Sequence, residues 1–457
     1  MIVMKFGGSS VANADRIRHV AEIVKARLDR KPVLVLSAMG DTTDHLLEAG
    51  DAALKMGKIS IKKIEDLHLN TIAEMNLGET ALGSIRPLLE ELQNLLTGIS
   101  LIRELTGKTK DYLVSFGERL SVRIVTAYFV SLGVNARAID AWDGGFLSDS
   151  NFTHAELKAE SWKLIPEKLL GPAEEGLLQV ITGFLAKDEK GNITTLGRGG
   201  SDLSATMIAA ACGAGEVQVW KDVDGILTAD PRIVKNARLV EIVSYEAASE
   251  LAYFGAQVLH PRAMQPCIKT GTPVLVKNSY NPGAKGTRIV QSISEKQSSI
   301  QAITFRKNIT LVDIVSSRML GQYGFLAEIF SYFAKHGISV DMVATSEVSI
   351  SVTMDADYDL SSLEDDLSRI AHVEIKTGKA IVTIIADVRR SSEILARSFR
   401  TCELLGVPVQ MISQGASKVN ISFIVNDQEA TEVVKALHAD FFDAGPEAGI
   451  IQSTTPS

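Results

Sequence analysis

The chain has 457 residues, of which 46% are hydrophobic and 22% charged, and its formal net charge is −8. This composition is typical of a globular protein with several domains, and the acidic balance argues against a nucleic-acid partner, because neutralising phosphates requires a clustered excess of lysine and arginine. Cys212, Cys267 and Cys402 are too scattered for a disulfide framework or a zinc site. No apolar run approaches the roughly 20 residues of a membrane span, and residues 1–17 do not resemble a signal peptide. We therefore expect a cytoplasmic protein.

Apolar strands alternate with amphipathic helices in the first part of the chain. The segments IVMKF (2–6) and PVLVLS (32–37) have the composition of buried strands, and Asn13 can cap a helix over residues 14–30 between them. A strand, a crossover helix and a second strand in this order favour a parallel sheet. Further elements are predicted as a helical stretch at about 44–108 and as strands at 134–140, 177–184, 216–220 and 273–278. We therefore predict one α/β domain over residues 1–291.

The pattern then changes to short elements that occur in two copies. The first copy spells βαββαβ, with strands at 309–315, 338–345, 348–355 and 373–378 and helices at 324–336 and 360–371. The second copy spells βαββα, with strands at 380–387, 407–413 and 418–425 and helices at 391–404 and 427–441. The unassigned strand 299–306 can supply the strand that the second copy lacks. We therefore predict that a first module (309–378) is inserted into a discontinuous second module (299–306 plus 380–442), and that residues 443–457 form a flexible tail.

The turn after the first strand has the residues of an anion site. Gly7 and Gly8 let a ligand approach the peptide N–H groups, and Ser9 and Ser10 add hydroxyl donors. Free N–H groups at a helix start favour an anion such as a phosphate, and Lys5 can place an ammonium on the same group. The stretch matches neither common glycine pattern for nucleotides, and a plain turn with an exposed lysine is the alternative.

A second glycine-rich turn, TTLGRGGSD, repeats this arrangement before an apolar helix. Three glycines within residues 197–200 surround Arg198, and Ser201 and Asp202 follow. Ser201 can be a plain N-cap, and Asp202 can compensate the helix dipole in the first turn. Two such turns in one α/β domain, each beside a basic residue, nevertheless favour a polyanion site.

Other polar residues also border predicted strand ends. Glu118 is expected in the first turn of a helix within VSFGERLSVRIV (114–125), where dipole compensation is the alternative explanation. Ser37 and Thr43 belong to a loop after the second strand, and residues 219–233 form a strand followed by acidic turns that suit either a plain loop or a nucleotide-binding rim. Ligands of open parallel sheets bind at the carboxyl ends of strands, so the polar residues near these ends can converge.

Together these segments resemble aspartate kinase, a member of the amino-acid kinase superfamily. The motifs stand in the family's order and approximate spacing: KFGGSSVA, VSFGERLS, TTLGRGGSD, VWKDVDGILTADPR and AYFGAQVLHPRAM. Residues 324–355 resemble the family's first ACT regulatory module, and the resemblance extends from residue 2 to about 442. It implies an α/β fold, with a three-layer αβα kinase domain whose sheet is mainly parallel, followed by two ferredoxin-like βαββαβ ACT modules.

The resemblance also implies a reaction. The family transfers the γ-phosphoryl group of ATP to the side-chain carboxylate of L-aspartate, giving 4-phospho-L-aspartate and ADP, the first step toward lysine, threonine and methionine. Lys5 would neutralise the charge on the transferring phosphoryl group, and Asp202 would orient Lys5. Mg²⁺ would arrive on ATP, and the resemblance names no protein ligand for it.

The remaining site residues follow from the same motifs. The implied phosphate-binding residues are Gly7, Gly8 and Ser9. The implied substrate-binding residues are Ser37, Thr43, Glu118, Arg198 and Ser201. The implied nucleotide-binding residues are Lys221, Asp222, Leu227, Arg232 and Gln257. Two of these depart from the family pattern, because Gln257 stands where some relatives carry lysine and Lys221 replaces a threonine.

The resemblance to the lysine-sensitive branch implies an effector site for L-lysine between ACT modules, with threonine or no effector as the alternatives. The matching residues are Met319, Gly324, Phe325, Ser339, Val340, Asp341, Thr345, Ser346 and Glu347. Asp341 and Glu347 can hold the two amino groups of lysine, although Phe325, Val340 and Met319 also have core periodicity. ACT modules expose sheet edges, so we expect a homodimer or a dimer of dimers.

Two other functions fit the same fold. A catalytically silent amino-acid sensor would keep the ACT pair, but it would be expected to lose at least one of Lys5, Glu118, Arg198 and Asp202. A glutamate or carbamate kinase is disfavoured by the ACT pair and by the VSFGERLS segment. The length also disfavours a fused homoserine dehydrogenase.

Overall fold

The computed structural model describes residues 1–171, 176–253, 259–293, 300–319, 323–386, 391–414 and 420–443. It divides the chain into two compact units. The first comprises residues 1–226, 241–249 and 258–293, and the second comprises 227–240, 250–257 and 294–457. Gln257 and the tail beyond 443 lie outside the described residues. Within the described ranges, no helix is both long and apolar enough to cross a membrane.

The first unit is built on a sheet of eight strands. In chain order the strands of this unit are β1 (Ile2–Phe6), β2 (Pro32–Leu36), β3 (Ala136–Ile139), β4 (Leu147–Ser148), β5 (Leu178–Thr182), β6 (Leu185–Asp188), β7 (Ile193–Thr195), β8 (Val217–Lys221), β9 (Ile242–Ser244), β10 (Val274–Asn278) and β11 (Thr287–Val290). The large sheet has the order β3-β5-β2-β1-β8-β10-β11-β9, and β4, β6 and β7 form a small second sheet. Neighbours from β3 to β10 are parallel, whereas β11 is antiparallel to β10. The prediction of a mainly parallel sheet is confirmed.

Helices cover both faces of this sheet. They are α1 (Ala14–Lys25), α2 (Thr42–Met56), α3 (Lys62–Glu74), α4 (Gly78–Ile102), α5 (Gly107–Ser131), α6 (Ser161–Leu169), α7 (Gly200–Ala211), α8 (Tyr245–Tyr253), which runs on into the second unit, and α9 (Pro261–Thr270). Alternate residues Ile2, Met4 and Phe6 of β1 pack into one core with α1 to α5. Lys5 points to the opposite face, where α7 packs on β1 and α9 packs on α7. The unit therefore has three layers, αβα.

Two helix boundaries differ from the sequence prediction. The side chain of Asn13 caps α1 as expected, accepting from Arg16 N at 3.0 Å, but α1 ends at Lys25 and a separate 3-10 turn covers Leu28–Arg30. Glu118 is not in a first helical turn, because α5 runs without interruption over 25 residues. Dipole compensation therefore does not explain this buried glutamate.

The second unit contains one antiparallel sheet of six strands. Its strands are β12 (Ile300–Val315), β13 (Val343–Thr345), β14 (Ser349–Asp355), β15 (His372–Ala386), β16 (Met411–Ser413) and β17 (Asn420–Asn426), in the order β13-β14-β12-β15-β17-β16. Its helices are α10 (Phe325–Lys335), α11 (Ser361–Ser368), α12 (Ser391–Leu404) and α13 (Asp427–His438), and a π-helical turn (Ala439–Asp443) follows α13.

Four predicted strands of this unit merge into two. The expected strands 299–306 and 309–315 are one strand, β12, and the expected strands 373–378 and 380–387 are one strand, β15. The first half of β12 pairs with the second half of β15, and the register shifts between Arg306 and Ile309. Beyond the shift, β12 pairs with β14 on its other side. Two apolar clusters separate accordingly, one around α10 and α11 and the other around α12 and α13.

Candidate active site

The turn after β1 is packed closely against the loop that follows β2. Gly7 caps a 3-10 turn over Gly8–Val11, and Gly40 N donates to Gly8 O at 3.1 Å. A Cβ atom on Gly8 would lie 2.9 Å from the carbonyl oxygen of Ala38, so a side chain there requires a backbone shift. Ser10 is buried and its Oγ lies 2.8 Å from Ser279 Oγ, whereas Ser9 is exposed. The glycine at position 8 therefore allows the two loops to meet.

The second glycine-rich turn needs left-handed backbone. Gly197 and Gly199 have φ values of +71° and +75°, which glycine adopts at little cost. Helix α7 begins at Gly200 with Gly199 in the cap position, so Ser201 is not the N-cap that the sequence allowed. Ser201 and Asp202 instead occupy the first turn of α7, and Asp202 lies opposite β1.

A buried ion pair joins the two turns. Lys5 Nζ lies 2.7 Å from Asp202 Oδ1, and both side chains are 9% exposed. Lys221 Nζ, at the end of β8, lies 3.8 Å from Asp202 Oδ2. Burial opposes ionisation of Asp202, but the charges of Lys5 and Lys221 outweigh it and lower the pKa of this carboxyl. Two ammonium groups thus share one carboxylate, which leaves a net positive charge for an anionic ligand.

Glu118 is buried beside this pair. Gly117 lets α5 approach the loop after β2, because a Cβ atom there would lie 2.7 Å from the Cβ of Ala38. Glu118 Oε1 accepts a hydrogen bond from Ala38 N at 3.2 Å, and Oε2 has no partner among the described residues. Burial raises the pKa of Glu118 to about 8, despite the opposing effects of the Ala38 N–H and of Lys5. A carboxyl with a free oxygen in this place can receive a cationic group.

These residues surround a cleft of about 340 Å³ in the first unit. The cleft is lined by Lys5, Gly8, Ser37, Ala38, Gly40, Thr43, Glu118, Phe184, Gly197, Gly199, Gly200, Ser201 and Asp202. The structure thus brings together six predicted polar residues from four separate segments of the chain. Phe184 was missed; it has a φ of +68° and stands two residues after β5, and its position at a strand end was the available signal.

Arg198 is on the glycine-rich turn but does not line the cleft. Its side chain is exposed, and it has no ion-pair partner within the described ranges. The pKa of His260 is lowered by burial and by the positive charges of Arg198 and Arg262. The guanidinium is therefore available to a ligand carboxylate at the margin of the cleft.

The predicted nucleotide residues fall in both units. Lys221 ends β8 in the first unit, and the exposed Asp222 follows it directly. Leu227 and Arg232 belong to the second unit, where the exposed Arg232 donates from Nη2 to Asp230 Oδ2 at 2.6 Å.

The predicted effector residues all lie in the second unit and have unequal environments. Phe325 is buried at the start of α10, and Met319 and Val340 pack against the same core. Gly324 precedes α10 with a φ of +87°, and Ser339 N donates to Tyr358 Oη at 3.4 Å. The last three predicted effector residues are exposed. They lie at the end of β13 and in the turn after it: Thr345, Ser346 and Glu347.

Asp341 is the exception, because its carboxylate is already engaged. Its side chain is 5% exposed and pairs with Arg306 of β12. Tyr253 Oη donates to Asp341 Oδ1 at 2.7 Å. Burial raises the pKa of this carboxyl, although both partners oppose the shift. A cationic effector at Asp341 would therefore compete with groups of the chain itself.

Comparisons with known proteins agree with this architecture. The amino acid kinase family matches residues 1–278, and an ACT domain matches residues 312–360 and 382–441. Aspartokinase 1 of the Arabidopsis thaliana chloroplast is 48% identical over 460 residues, which cover 97% of this chain and 80% of that protein.

Two solved structures of E. coli aspartokinase III share the fold. The R-state complex with aspartate and ADP has a TM-score of 0.81 at 32% identity, covering 97% of this chain and 100% of that one. The T-state complex with lysine and aspartate has a TM-score of 0.79 at 33% identity, covering 97% and 99%. With the match to the amino acid kinase family and the ACT region, these likenesses show that the chain belongs to the amino acid kinase family and is an aspartate kinase with ACT modules.

Proposed function

We propose that the chain transfers the γ-phosphoryl group of ATP to the side-chain carboxylate of L-aspartate, forming 4-phospho-L-aspartate and ADP. The observation that carries this proposal is the buried pair of Lys5 and Asp202 between two glycine-rich turns. In the transfer, a carboxylate oxygen of aspartate bonds to the γ-phosphorus while the bond from that phosphorus to the bridging oxygen of ADP breaks. The carboxylate is already a competent nucleophile, so the protein has to supply positioning and charge rather than a strong base.

Lys5 and the first glycine turn would serve the phosphates. The ammonium of Lys5 stabilises negative charge on the phosphoryl group during transfer, and Asp202 holds that ammonium in place. Backbone N–H groups of Gly7, Gly8 and Ser9 would bind phosphate oxygens at the helix start. Because the Lys5 and Asp202 side chains are largely buried, their interactions are stronger than they would be in solvent.

The aspartate would be held on the α5 side of the cleft. Its ammonium would bind the unpartnered Oε2 of Glu118, which would then ionise. Ser37, Thr43 and Ser201 offer hydroxyl groups in the same cleft, and Arg198 would pair with a carboxylate of the substrate.

The nucleotide would be held by Lys221, Asp222, Leu227, Arg232 and Gln257. ATP would enter as its magnesium complex, and Mg²⁺ is a cation that commonly binds through substrate phosphates and water. Asp202 already has two ammonium neighbours, and within the described residues no group of three or more histidine, cysteine or acidic side chains is placed to hold a metal. We therefore assign no protein ligand to the ion.

We further propose feedback inhibition by L-lysine at the ACT modules, within a homodimer or dimer of dimers, in the pathway to lysine, threonine and methionine. The modules would be 309–378 and 299–306 plus 380–442, following a kinase domain at 1–291. Support comes from the E. coli relative that was solved with lysine and aspartate. The cytoplasmic location rests on the scattered cysteines and stays a prediction.

The deciding experiment is release of ADP from MgATP with L-aspartate, with and without millimolar L-lysine. Aspartate-dependent release that lysine suppresses supports the catalytic and effector proposals together. Release that lysine does not change keeps the kinase and directs the test to threonine. A folded sample that binds ATP without turnover favours the silent sensor.

A further inference from the structure

Residues 153–155 pack against the second glycine-rich turn within the first unit, and we call them the backing segment. Ala155 N donates to the carbonyl oxygen of Thr195, at the end of β7, at 2.9 Å. A Cβ atom on Gly197 would lie 2.9 Å from Nδ1 of His154, so the segment and the turn are in close contact. Gly197 lines the cleft. The backing segment therefore supports the part of the cleft wall that this turn forms.

Asp111 of α5 joins the backing segment to β7 through their N–H groups. Its Oδ2 accepts from Thr153 N at 2.9 Å and from Thr195 N at 3.0 Å, and its Oδ1 accepts from Thr195 Oγ1 at 2.8 Å. Asp111 is only 1% exposed. Burial raises the pKa of its carboxyl, although the three hydrogen bonds oppose the shift. One buried side chain thus satisfies two backbone donors and a hydroxyl at the junction of the segment and the strand.

Arg262, in the first turn of α9, joins the same two stretches through their carbonyl groups. Its Nη1 donates to Leu196 O at 2.9 Å, and its Nη2 donates to Ala155 O at 2.7 Å. The guanidinium is a rigid planar fork, so it fixes the separation of the two carbonyl oxygens. The junction is therefore held by an acidic group on its N–H side and by a basic group on its carbonyl side.

Asp111 also relates this junction to Glu118. The two residues are seven positions apart in α5, which is about two helical turns, so their side chains lie on the same face of the helix. Glu118 is the group to which we assign the ammonium of the substrate, and the glycine-rich turn carries Arg198, to which we assign a carboxylate. One helix therefore sets the spacing between the groups that would receive the two charges.

We infer that Asp111 is a positioning residue for L-aspartate, because it fixes the second glycine-rich turn relative to Glu118. This inference rests on the proposed substrate roles of Glu118, Arg198 and Ser201. Asp111 does not need to touch the substrate. Arg262 supports the same junction from α9 and has the same effect on the turn.

The inference separates the two substrates. The proposed phosphate-binding residues belong to the first glycine turn, where Gly40 N donates to Gly8 O at 3.1 Å. That contact involves neither Asp111 nor the backing segment. Loss of the Asp111 carboxylate should therefore weaken aspartate binding much more than ATP binding.

The test is Asp111→Ala, which removes the acceptor of all three hydrogen bonds. We expect the KM for aspartate to rise about tenfold, which is the effect of one strong hydrogen bond, with the KM for MgATP unchanged. Asp111→Asn is the conservative variant, because its amide oxygen can accept from both N–H groups while its amide nitrogen donates to Thr195 Oγ1. It should return the KM for aspartate toward that of the parent. Calorimetric titration with L-aspartate should rank the three proteins in the same order without turnover.

Two milder variants serve if Asp111→Ala does not fold. Thr195→Val keeps the shape of the side chain and removes one of the three donors, so the KM for aspartate should rise about threefold. Arg262→Gln removes the guanidinium that holds the two carbonyl groups and should shift the same constant in the same direction.

Asp140→Ala is the matched control. Asp140 accepts two hydrogen bonds from Arg123 of α5 at 3.0 Å, its side chain is 9% exposed, and it does not contact the junction. This variant should lower Tm comparably and leave the KM for aspartate unchanged.

Three outcomes overturn the inference: equal aspartate affinities for Asp111→Ala and the parent, an equal loss in Asp140→Ala, or an equal rise of both KM values in Asp111→Ala. Where Asp111→Ala does not fold, the same comparisons apply to Thr195→Val. Aspartate binding that Asp111→Ala weakens, in a parent that releases no ADP, supports the inference and overturns the proposed reaction alone. A parent that binds no aspartate overturns both.

Discussion

The cleft of the first unit and the predicted effector residues of the second unit differ in how their charged groups are satisfied. In the cleft, Glu118 has an oxygen without a partner among the described residues, and Asp202 has an excess of cations around it. In the second unit, Asp341 is paired with Arg306 and Tyr253. The first arrangement is prepared for ligands, whereas the second is closed by groups of the chain.

The difference has an energetic consequence. An unpaired buried oxygen costs free energy, and a substrate that supplies the missing partner recovers that cost on binding. A carboxylate that already has two partners gains only the difference between the ligand and the partner it displaces. We therefore expect substitutions in the cleft to weaken substrate binding or turnover directly. Substitutions around Asp341 should raise or lower the sensitivity of the enzyme to inhibition by lysine.

The largest expected effect is that of Lys5→Ala. We expect kcat to fall roughly 10²- to 10³-fold, since one preorganised group that stabilises transition-state charge is typically worth that much. Lys221 remains 3.8 Å from Asp202, so the buried carboxylate keeps a cationic partner and the fold should survive. Steady-state turnover and Tm measure the two effects. Lys63→Ala removes an exposed pair with Glu48 in the same unit and should leave turnover unchanged. Turnover of Lys5→Ala within threefold of the parent would remove Lys5 from the chemistry.

Glu118→Gln should raise the KM for aspartate about tenfold or more, because a charged hydrogen bond is lost while the contact to Ala38 N can persist. The pH dependence should change as well. Because the pKa of Glu118 is about 8 in the empty cleft, binding the ammonium of aspartate requires loss of a proton at pH 6–7. The parent should therefore bind aspartate more tightly as pH rises from 6 to 8, and the variant should lose this dependence.

The same group makes a prediction for stability. The pKa of Glu118 rises from 4.5 to about 8 on folding, so the folded protein holds the proton more tightly than the unfolded chain. Its contribution to stability is then fully present below pH 4.5 and is lost as pH rises toward 8. Tm of the ligand-free parent should fall more over this interval than Tm of Glu118→Gln. Parallel Tm profiles would show that Glu118 does not titrate in this range.

The sequence predicted the cleft better than its surroundings, for physical reasons. Glycine turns at strand ends have a local signature, and Lys5 and Asp202 meet because parallel strands end at one edge. The position of Glu118 within its helix was predicted wrongly. Gly117 lies in the middle of α5 and not near a helix start, and it is a glycine position because Ala38 packs closely against it. Strand β12 looked like two strands because Asn308 interrupts the apolar pattern, with a φ of +60° at the register shift. The partners of Asp341 stand 35 and 88 residues away, and no local pattern connects them.

Asp341→Asn tests the closed site, by which we mean Asp341 with its partners Arg306 and Tyr253. If the carboxylate holds an amino group of lysine, its loss should raise the lysine concentration for half-inhibition about tenfold, the usual value of a charged hydrogen bond. Turnover without lysine should stay near that of the parent, because Arg306 keeps Asp355 as a partner at 3.4 Å. Inhibition curves with lysine measure the change. Asp313→Asn is the control, since Asp313 pairs with Lys376 at 2.8 Å in the same sheet and is not a predicted effector residue. Unchanged sensitivity in Asp341→Asn would place the effector elsewhere.

Arg306→Gln should have the smallest effect on lysine inhibition. Whether it raises or lowers the half-inhibitory lysine concentration is the informative result. If Arg306 and lysine compete for Asp341, removing the guanidinium leaves the carboxylate with Tyr253 alone and should lower the half-inhibitory lysine concentration by a few-fold. Lys376→Gln removes the cation of the control pair and should leave sensitivity unchanged. Opposite shifts for Asp341→Asn and Arg306→Gln would demonstrate competition. Loss of sensitivity in both would mean that the ion pair supports the effector site structurally, and the contrast between an open cleft and a closed site would then fail.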